Sequence, residues 1–213
     1  MPNRVSWFLT LLLLLVNLPT ADAFIFDTWR SGMNIDKVVA TGKDKGIAIE
    51  FLGGGFSLFG RNEPDELAVN IEYHGNTKLM GYDAKLLFIF APESRVLHSV
   101  RVSLVLPFSS DKADIDVLSE ALARQLDAKY KPQEEPGAES LFDQLADKVR
   151  QVHRRNWKGG GDTVTMESNW KIFGGEVVIN YVDDKLSERA VVEDRRIRQK
   201  RLEKSSGDDR RKF

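Results

Sequence analysis

The stretch "KLLFIFAPESRVLHSVRVSLVL" (Lys85–Leu106) predicts two neighbouring strands of an antiparallel sheet. Lys85–Ala91 is apolar on both faces, which is typical of a strand inside a sheet. Pro92-Glu93-Ser94 predicts a turn. Beyond the turn, apolar and polar residues alternate, so we expect a strand with one buried face. The residues expected on the buried face are Val96, Val100, Val102, Leu104 and Leu106, and those opposite are Ser99, Arg101 and Ser103.

A third strand is predicted immediately before this pair. Leu67, Val69, Ile71 and Tyr73 alternate with polar or small residues, and His74-Gly75-Asn76 is expected to form a turn. The three strands together predict an antiparallel meander joined by short turns. Its register is well determined, because a slip by one residue would expose every buried side chain.

The elements on either side of the meander complete an α+β pattern. On the N-terminal side, we expect a helix capped by Asn34 and ended by Gly42 and Gly46, and then a short alternating strand. On the C-terminal side, the spacing predicts one helix over Asp111–Tyr130 and a second over Leu141–Val152. The helical stripes are Ile35, Val38 and Val39; Ile115, Leu118, Leu122 and Leu126; and Leu141, Phe142, Leu145, Val149 and Val152. The N-terminal strand is marked by Ile47, Ile49 and Phe51.

Two more strands and a charged tail follow. "KPQEEPG" (Lys131–Gly137) is interpreted as a breaker, and Gly159–Gly161 as the loop before two strands. These strands are marked by the alternation of Val164, Met166, Trp170 and Ile172, and then of Val177, Ile179 and Tyr181. The tail from Leu186 predicts a helix to about Lys204.

The predicted fold class is α+β, with one or more antiparallel meander sheets and helices packed on one face. We divide the chain into a signal peptide (1–23), an N-terminal αβ half with a three-to-four-stranded sheet (24–107), a C-terminal ααββ half (108–190) and a charged tail (191–213). "KLMGYDAKLLFIFAPESRVLHSV" (78–100) and "NWKIFGGEVVINYVDDKLSERAV" (169–191) share a loose pattern. Internal duplication and coincidence of hairpin chemistry both remain open.

The first residues have the three parts of a secretory signal peptide. Arg4 is basic, Trp7–Leu18 is an apolar core, and Ala21-Asp22-Ala23 is a small-x-small cleavage pattern. The core is shorter than the roughly 20 apolar residues that a membrane-spanning helix needs. We therefore expect cleavage after Ala23 and a bacterial periplasmic or secreted protein with no transmembrane span, although an uncleaved anchor is the alternative.

Composition limits the chemistry and the partners of the chain. It has 0 cysteines, which excludes disulfides and thiolate sites. Its formal net charge of −1 lacks the basic excess of a nucleic-acid binder, so no nucleic-acid partner is expected. The sequence contains no phosphate-binding loop and no nucleophile elbow. It also has no metal-ligand spacing around His74, His98 or His153. We predict no catalytic, cofactor-binding or metal-binding residues and no cofactor.

Aromatic residues in glycine-rich or polar settings suggest a surface for a partner. The candidate partner-binding residues are Phe56, Leu58, Phe59, Trp157 and Trp170. Tryptophan is enriched at binding hot spots, and glycine-rich loops with exposed aromatics suit contact with a partner. The competing interpretation is packing, of the loop over the core and of both tryptophans against the edge of the sheet. His98 is interpreted as a core-edge histidine.

These observations favour a non-catalytic envelope protein that binds another envelope protein or a cell-wall component. A small-ligand carrier or a hydrolase, with a pocket between sheet and helices, is the alternative. The basic tail adds a weak membrane-surface contact as a third hypothesis.

"WRSGMNIDKVV" (Trp29–Val39) resembles the Gly-Met-x-x-x-x-Val helix start of small envelope proteins such as the BamE-like outer-membrane assembly factors. Their fold, two helices against a three-stranded antiparallel sheet, also occurs in tandem in the β-lactamase inhibitor protein. The resemblance covers about eleven residues by motif and otherwise only the order of elements. It implies a protein that works by contacts rather than catalysis. It implies no lipid anchor, because BamE carries an acylated cysteine and this chain has none.

Overall fold

The computed structural model describes residues 24–52, 71–133, 152–171 and 174–210. The signal-peptide prediction for residues 1–23 lies outside this part of the chain. The helices are α1 (Ile35–Asp44), α2 (Lys112–Asp127) and α3 (Asp184–Arg210). The strands are β1 (Ile25–Phe26), β2 (Trp29–Arg30), β3 (Ile49–Phe51), β4 (Ile71–Leu79), β5 (Tyr82–Phe90), β6 (Leu97–Val105), β7 (Lys131–Gln133), β8 (Val152–Lys158), β9 (Asp162–Lys171) and β10 (Gly174–Asp183).

Eight of these strands form one antiparallel sheet, and β1 and β2 form a separate hairpin. The order in the large sheet is β3-β4-β5-β6-β10-β9-β8-β7. Its two central strands join the N-terminal and C-terminal parts of the chain, with Val102 opposite Ile179. The fold is therefore α+β, as the alternation of the sequence predicts.

The predicted meander is confirmed as β4-β5-β6 within the described residues, but its first turn lies elsewhere. Leu67 and Val69, predicted for its first strand, lie outside the described residues. β4 continues through His74-Gly75-Asn76, and the chain turns at Met80–Gly81, where both residues have positive φ. Gly75 marks a close approach within the sheet instead, because a Cβ there would lie 3.1 Å from the carbonyl oxygen of Ala48. The turn predicted at Pro92–Ser94 is confirmed and is closed by the hydrogen bond from Ala91 N to Val96 O.

The hydrophobic core lies on the face of the sheet that α1 and α2 cover. Asn34 caps α1, as predicted, by accepting a hydrogen bond from Lys37 N. The predicted stripe of α2 is buried, and Asp111 and Asp114 form a capping box. The strands contribute the alternate set of buried apolar residues: Leu86, Phe88, Phe90, Val100, Val102, Leu104, Val164, Met166, Val177, Ile179 and Tyr181.

Three local predictions need correction. Gly42 is buried within α1, which ends at Asp44. The breaker segment contributes the three-residue edge strand β7. Val152 begins strand β8 rather than ending a helix, and the rest of that predicted helix, 141–151, lies outside the described residues. Of the two loosely similar segments, 78–100 covers the end of β4, β5 and the start of β6, and 169–191 covers the end of β9, β10 and the start of α3.

The predicted tail helix is confirmed as α3, which contacts β6 and β10, although it begins at Asp184 and ends at Arg210 rather than at about Lys204. Glu193 is only 5% exposed and holds the helix to the β5–β6 turn. Its Oε2 accepts hydrogen bonds from the backbone N–H groups of Glu93 and Ser94, both at 3.0 Å, and from Ser94 Oγ at 3.2 Å. Burial by itself would raise the pKa of Glu193, but these bonds and the one from Arg189 outweigh it and hold the pKa below its ordinary value.

Candidate functional site

An open groove of about 440 Å³ lies on the face of the sheet opposite the core, here called the outer face. Strand alternation places Glu72 and His74 of β4, Lys85, Leu87 and Ile89 of β5, and Arg101 and Ser103 of β6 on this face. Leu87 and Ile89 are half-buried and form an apolar floor in the middle of the groove. Leu52, which follows β3, completes the apolar lining.

Polar side chains across the neighbouring strands orient Arg101 at the edge of the groove. Arg101 lies opposite Leu87 on one side and Asn180 on the other. Its Nε donates a hydrogen bond to Asn180 Oδ1 at 2.7 Å, and Asn180 Nδ2 donates to Thr165 Oγ1 at 3.2 Å. This chain of bonds runs over β6, β10 and β9, so the guanidinium is held in place by a rigid part of the sheet.

The charges around the apolar floor are separated by sign. Lys85 and Arg101 lie on β5 and β6, whereas Glu72 lies on β4 and the exposed Glu50 lies on β3 opposite His74. Burial raises the pKa of Glu72, and the Arg101 charge partly offsets this rise. His74 lies between Glu50 on β3 and Leu87 of the floor, with its Nδ1 buried, and Glu72 lies directly opposite Ile89 of the floor. A groove with a basic end, an acidic end and an apolar middle can orient a polar ligand.

The structure buries Trp157 in the core and packs the partly buried Trp170 against it. Trp157 is 1% exposed, and its Nε1 donates a hydrogen bond to Asp127 Oδ1 of α2 at 2.7 Å. Trp170 is half-buried against the core, on the same face of the sheet. Packing is therefore the role that the geometry gives to both. Phe56, Leu58 and Phe59 lie outside the described residues.

His98 lies beneath α3, away from the groove. It is 7% exposed, as expected of a core-edge histidine, and the charges of Asp183 and Glu193 act on it. Burial nevertheless lowers the pKa of its imidazole below the ordinary value. Neither ring nitrogen has a hydrogen-bond partner within the described part of the chain.

The groove residues were not among the predicted site residues, although one signal for them was present. Lys85–Ala91 is apolar on both faces, while the strand after it is polar on one face. On the outer face, Leu87 and Ile89 therefore lie opposite polar residues of β6, and this mismatch marks the floor of the groove. The other groove residues could not be predicted, because they come together only through the order of strands in the sheet.

The described ranges lack two further features. They contain no cluster of three or more His, Asp or Glu residues arranged to hold a metal ion. They also contain no helix with the length and apolarity needed to cross a bilayer.

No protein-family model, curated protein or solved structure matches this chain. The resemblance at Trp29–Val39 consequently depends on that motif alone. In the structure the motif spans β2, the Asn34 cap and the first half of α1.

Proposed function

We propose that this chain is a non-catalytic binding protein of the bacterial envelope, which holds its partner on the outer face of the sheet. The observation that carries the proposal is the groove over Leu87 and Ile89, whose apolar floor is bordered by charges of both signs. Apolar surface with a few fixed polar groups is the usual character of a binding site. The partner is an envelope protein or a cell-wall component.

The compartment is part of the same proposal. We propose export to the periplasm or the medium, with cleavage after Ala23, on the basis of the N-terminal sequence pattern. Fractionation by osmotic shock combined with N-terminal sequencing tests this directly. The expected mature chain begins at Phe24, and an intact Met1 in the membrane fraction would contradict the proposal.

A small-ligand carrier is the second candidate function. The volume of the groove favours it, because sites for small ligands measure roughly 300–1,000 Å³. This groove lies on the outer face, whereas the sequence led us to expect a carrier pocket between the sheet and the helices.

Photo-crosslinking in native cells tests whether the outer face is the binding surface. A photoreactive benzoylphenylalanine at Leu87 is expected to form a defined adduct. The same residue at Val117, which is 70% exposed on α2, serves as the matched control. Charge reversal by Lys85→Glu should reduce the Leu87 adduct. Equal adducts at both positions, or a Leu87 adduct unaffected by the reversal, would contradict the proposal.

A further inference from the structure

We infer that the groove binds a short zwitterionic peptide, with its ammonium group toward Glu72 and its carboxylate toward Lys85 and Arg101. This inference rests on the proposed function, because it names the class of ligand for the same site. Its basis is the separation of charges around the apolar floor. A cell-wall peptide of a few residues is an envelope component with this chemistry.

The charges are arranged along a diagonal of the sheet. In the register, Glu72 lies opposite Ile89 and Lys85 lies opposite Asn76, four residues further along β4. At about 3.4 Å per residue and about 4.8 Å between strands, the two Cα atoms are about 14 Å apart. An extended tripeptide is about 10 Å long, so side chains reaching inward from both ends can meet its termini.

The two ends of the groove carry opposite charges, an oriented guanidinium at one end and carboxylates at the other. At the basic end, the bond to Asn180 orients Arg101, and an oriented guanidinium is well suited to recognise a carboxylate. At the acidic end, Glu72 is half-buried and Glu50 lies nearby on β3. Burial raises the pKa of Glu72 more than the Arg101 charge lowers it, so a bound ammonium would add counter-charge to a half-buried carboxylate.

The middle of the groove selects for an apolar side chain. Leu87 and Ile89 lie between the charged ends, and Leu52 adds apolar surface on the β3 side. A ligand with a small aliphatic side chain between its termini would cover this floor. The inference therefore excludes a uniformly anionic or uniformly cationic ligand as the best occupant.

Calorimetric titration with the peptide Ala-Leu-Ala and two capped forms of it tests the inference. Acetylating the amino end removes the ammonium, and amidating the carboxyl end removes the carboxylate. Each cap is expected to weaken binding by about fivefold, corresponding to one partly exposed charge interaction of about 1 kcal/mol. Equal affinities for all three peptides, or no binding of the uncapped peptide, would overturn the inference.

Protein variants assign each terminus to its end of the groove. In Lys85→Gln the penalty for amidation should shrink, with Arg101 retaining part of it, while the penalty for acetylation stays. In Glu72→Gln the penalty for acetylation should shrink while the penalty for amidation stays. Lys78→Gln is the matched control, since Lys78 is exposed on the same face and is absent from the groove lining. Penalties that persist unchanged in both groove variants would overturn the inference.

The crosslinking experiment separates this inference from the proposed function. If peptides fail to bind but the Leu87 adduct still forms and depends on Lys85, the zwitterionic ligand is wrong and the binding surface stands. If the Leu87 adduct is also absent, the proposed function fails as well.

Discussion

Replacing Glu193 with alanine is expected to lower the free energy of unfolding by about 2–3 kcal/mol at pH 7. The carboxylate accepts three hydrogen bonds from Glu93 and Ser94, and it contacts Arg189 Nε at 3.1 Å. Two bonds from backbone N–H groups contribute about 1 kcal/mol each, and the hydroxyl bond contributes somewhat less. The exposed Arg189 adds only a few tenths of a kcal/mol.

The effect of this substitution should depend on pH. The pKa of Glu193 is held below its ordinary value of 4.5, so the folded chain favours the ionised form. Its contribution to stability is complete above pH 4.5 and is lost as the pH falls through the lowered pKa. Urea denaturation at neutral and acidic pH measures this change. The difference between wild type and Glu193→Ala should be smaller under acidic conditions.

Glu188→Ala is the control, because Glu188 is exposed on the same helix. It should change stability by less than about 0.5 kcal/mol. An equally small loss in Glu193→Ala at pH 7, or a loss that does not vary with pH, would refute the idea that this carboxylate holds α3 to the β5–β6 turn.

Three further predictions concern the core and can be measured by thermal denaturation. Gly175→Ala should destabilise by about 1–3 kcal/mol, because the added Cβ would lie 1.6 Å from Ile115 Cδ1; an unchanged melting temperature would contradict the packing described. Trp157→Phe should cost about 1–2 kcal/mol through loss of the hydrogen bond to Asp127, and no loss would mean that this bond contributes nothing. Asp162→Asn should stabilise the protein at pH 7: burial, together with neighbouring carboxylates, raises the pKa of Asp162, so its ionised form disfavours folding as the pH rises through that pKa. The gain in stability should shrink in acid, and a gain that does not vary with pH would contradict the raised pKa of Asp162.

The meander could be predicted because its local pattern is strong. β5 and β6 combine alternation with turn residues at Pro92–Ser94, and both strands formed as expected. β8 was missed because its sequence "VHRRNWK" has only two apolar residues, of which Trp157 alone is fully buried. β7 has three residues and includes a proline, which is tolerated because the strand lies at the edge of the sheet.

The candidate site depends on contacts that no local pattern encodes. Arg101 and Asn180 are 79 positions apart and meet only because β6 and β10 are neighbours at the centre of the sheet. The aromatic residues suggested a site at Trp157 and Trp170, but large aromatics bury more apolar surface than other side chains and often serve the core. In this sheet the charged residues around the apolar floor of the groove are stronger candidates for binding a partner than the two tryptophans.

The most direct test of the binding groove is a ¹H–¹⁵N correlation spectrum of the protein titrated with Ala-Leu-Ala. The groove predicts shifts confined to the amides of residues 72–76, 85–89 and 101–103, and no comparable shifts around α2 or Trp170. Shifts that centre on the core face would contradict the assignment of the outer-face groove as the binding site, and an unchanged spectrum at the highest soluble peptide concentration would contradict the zwitterionic peptide as its ligand.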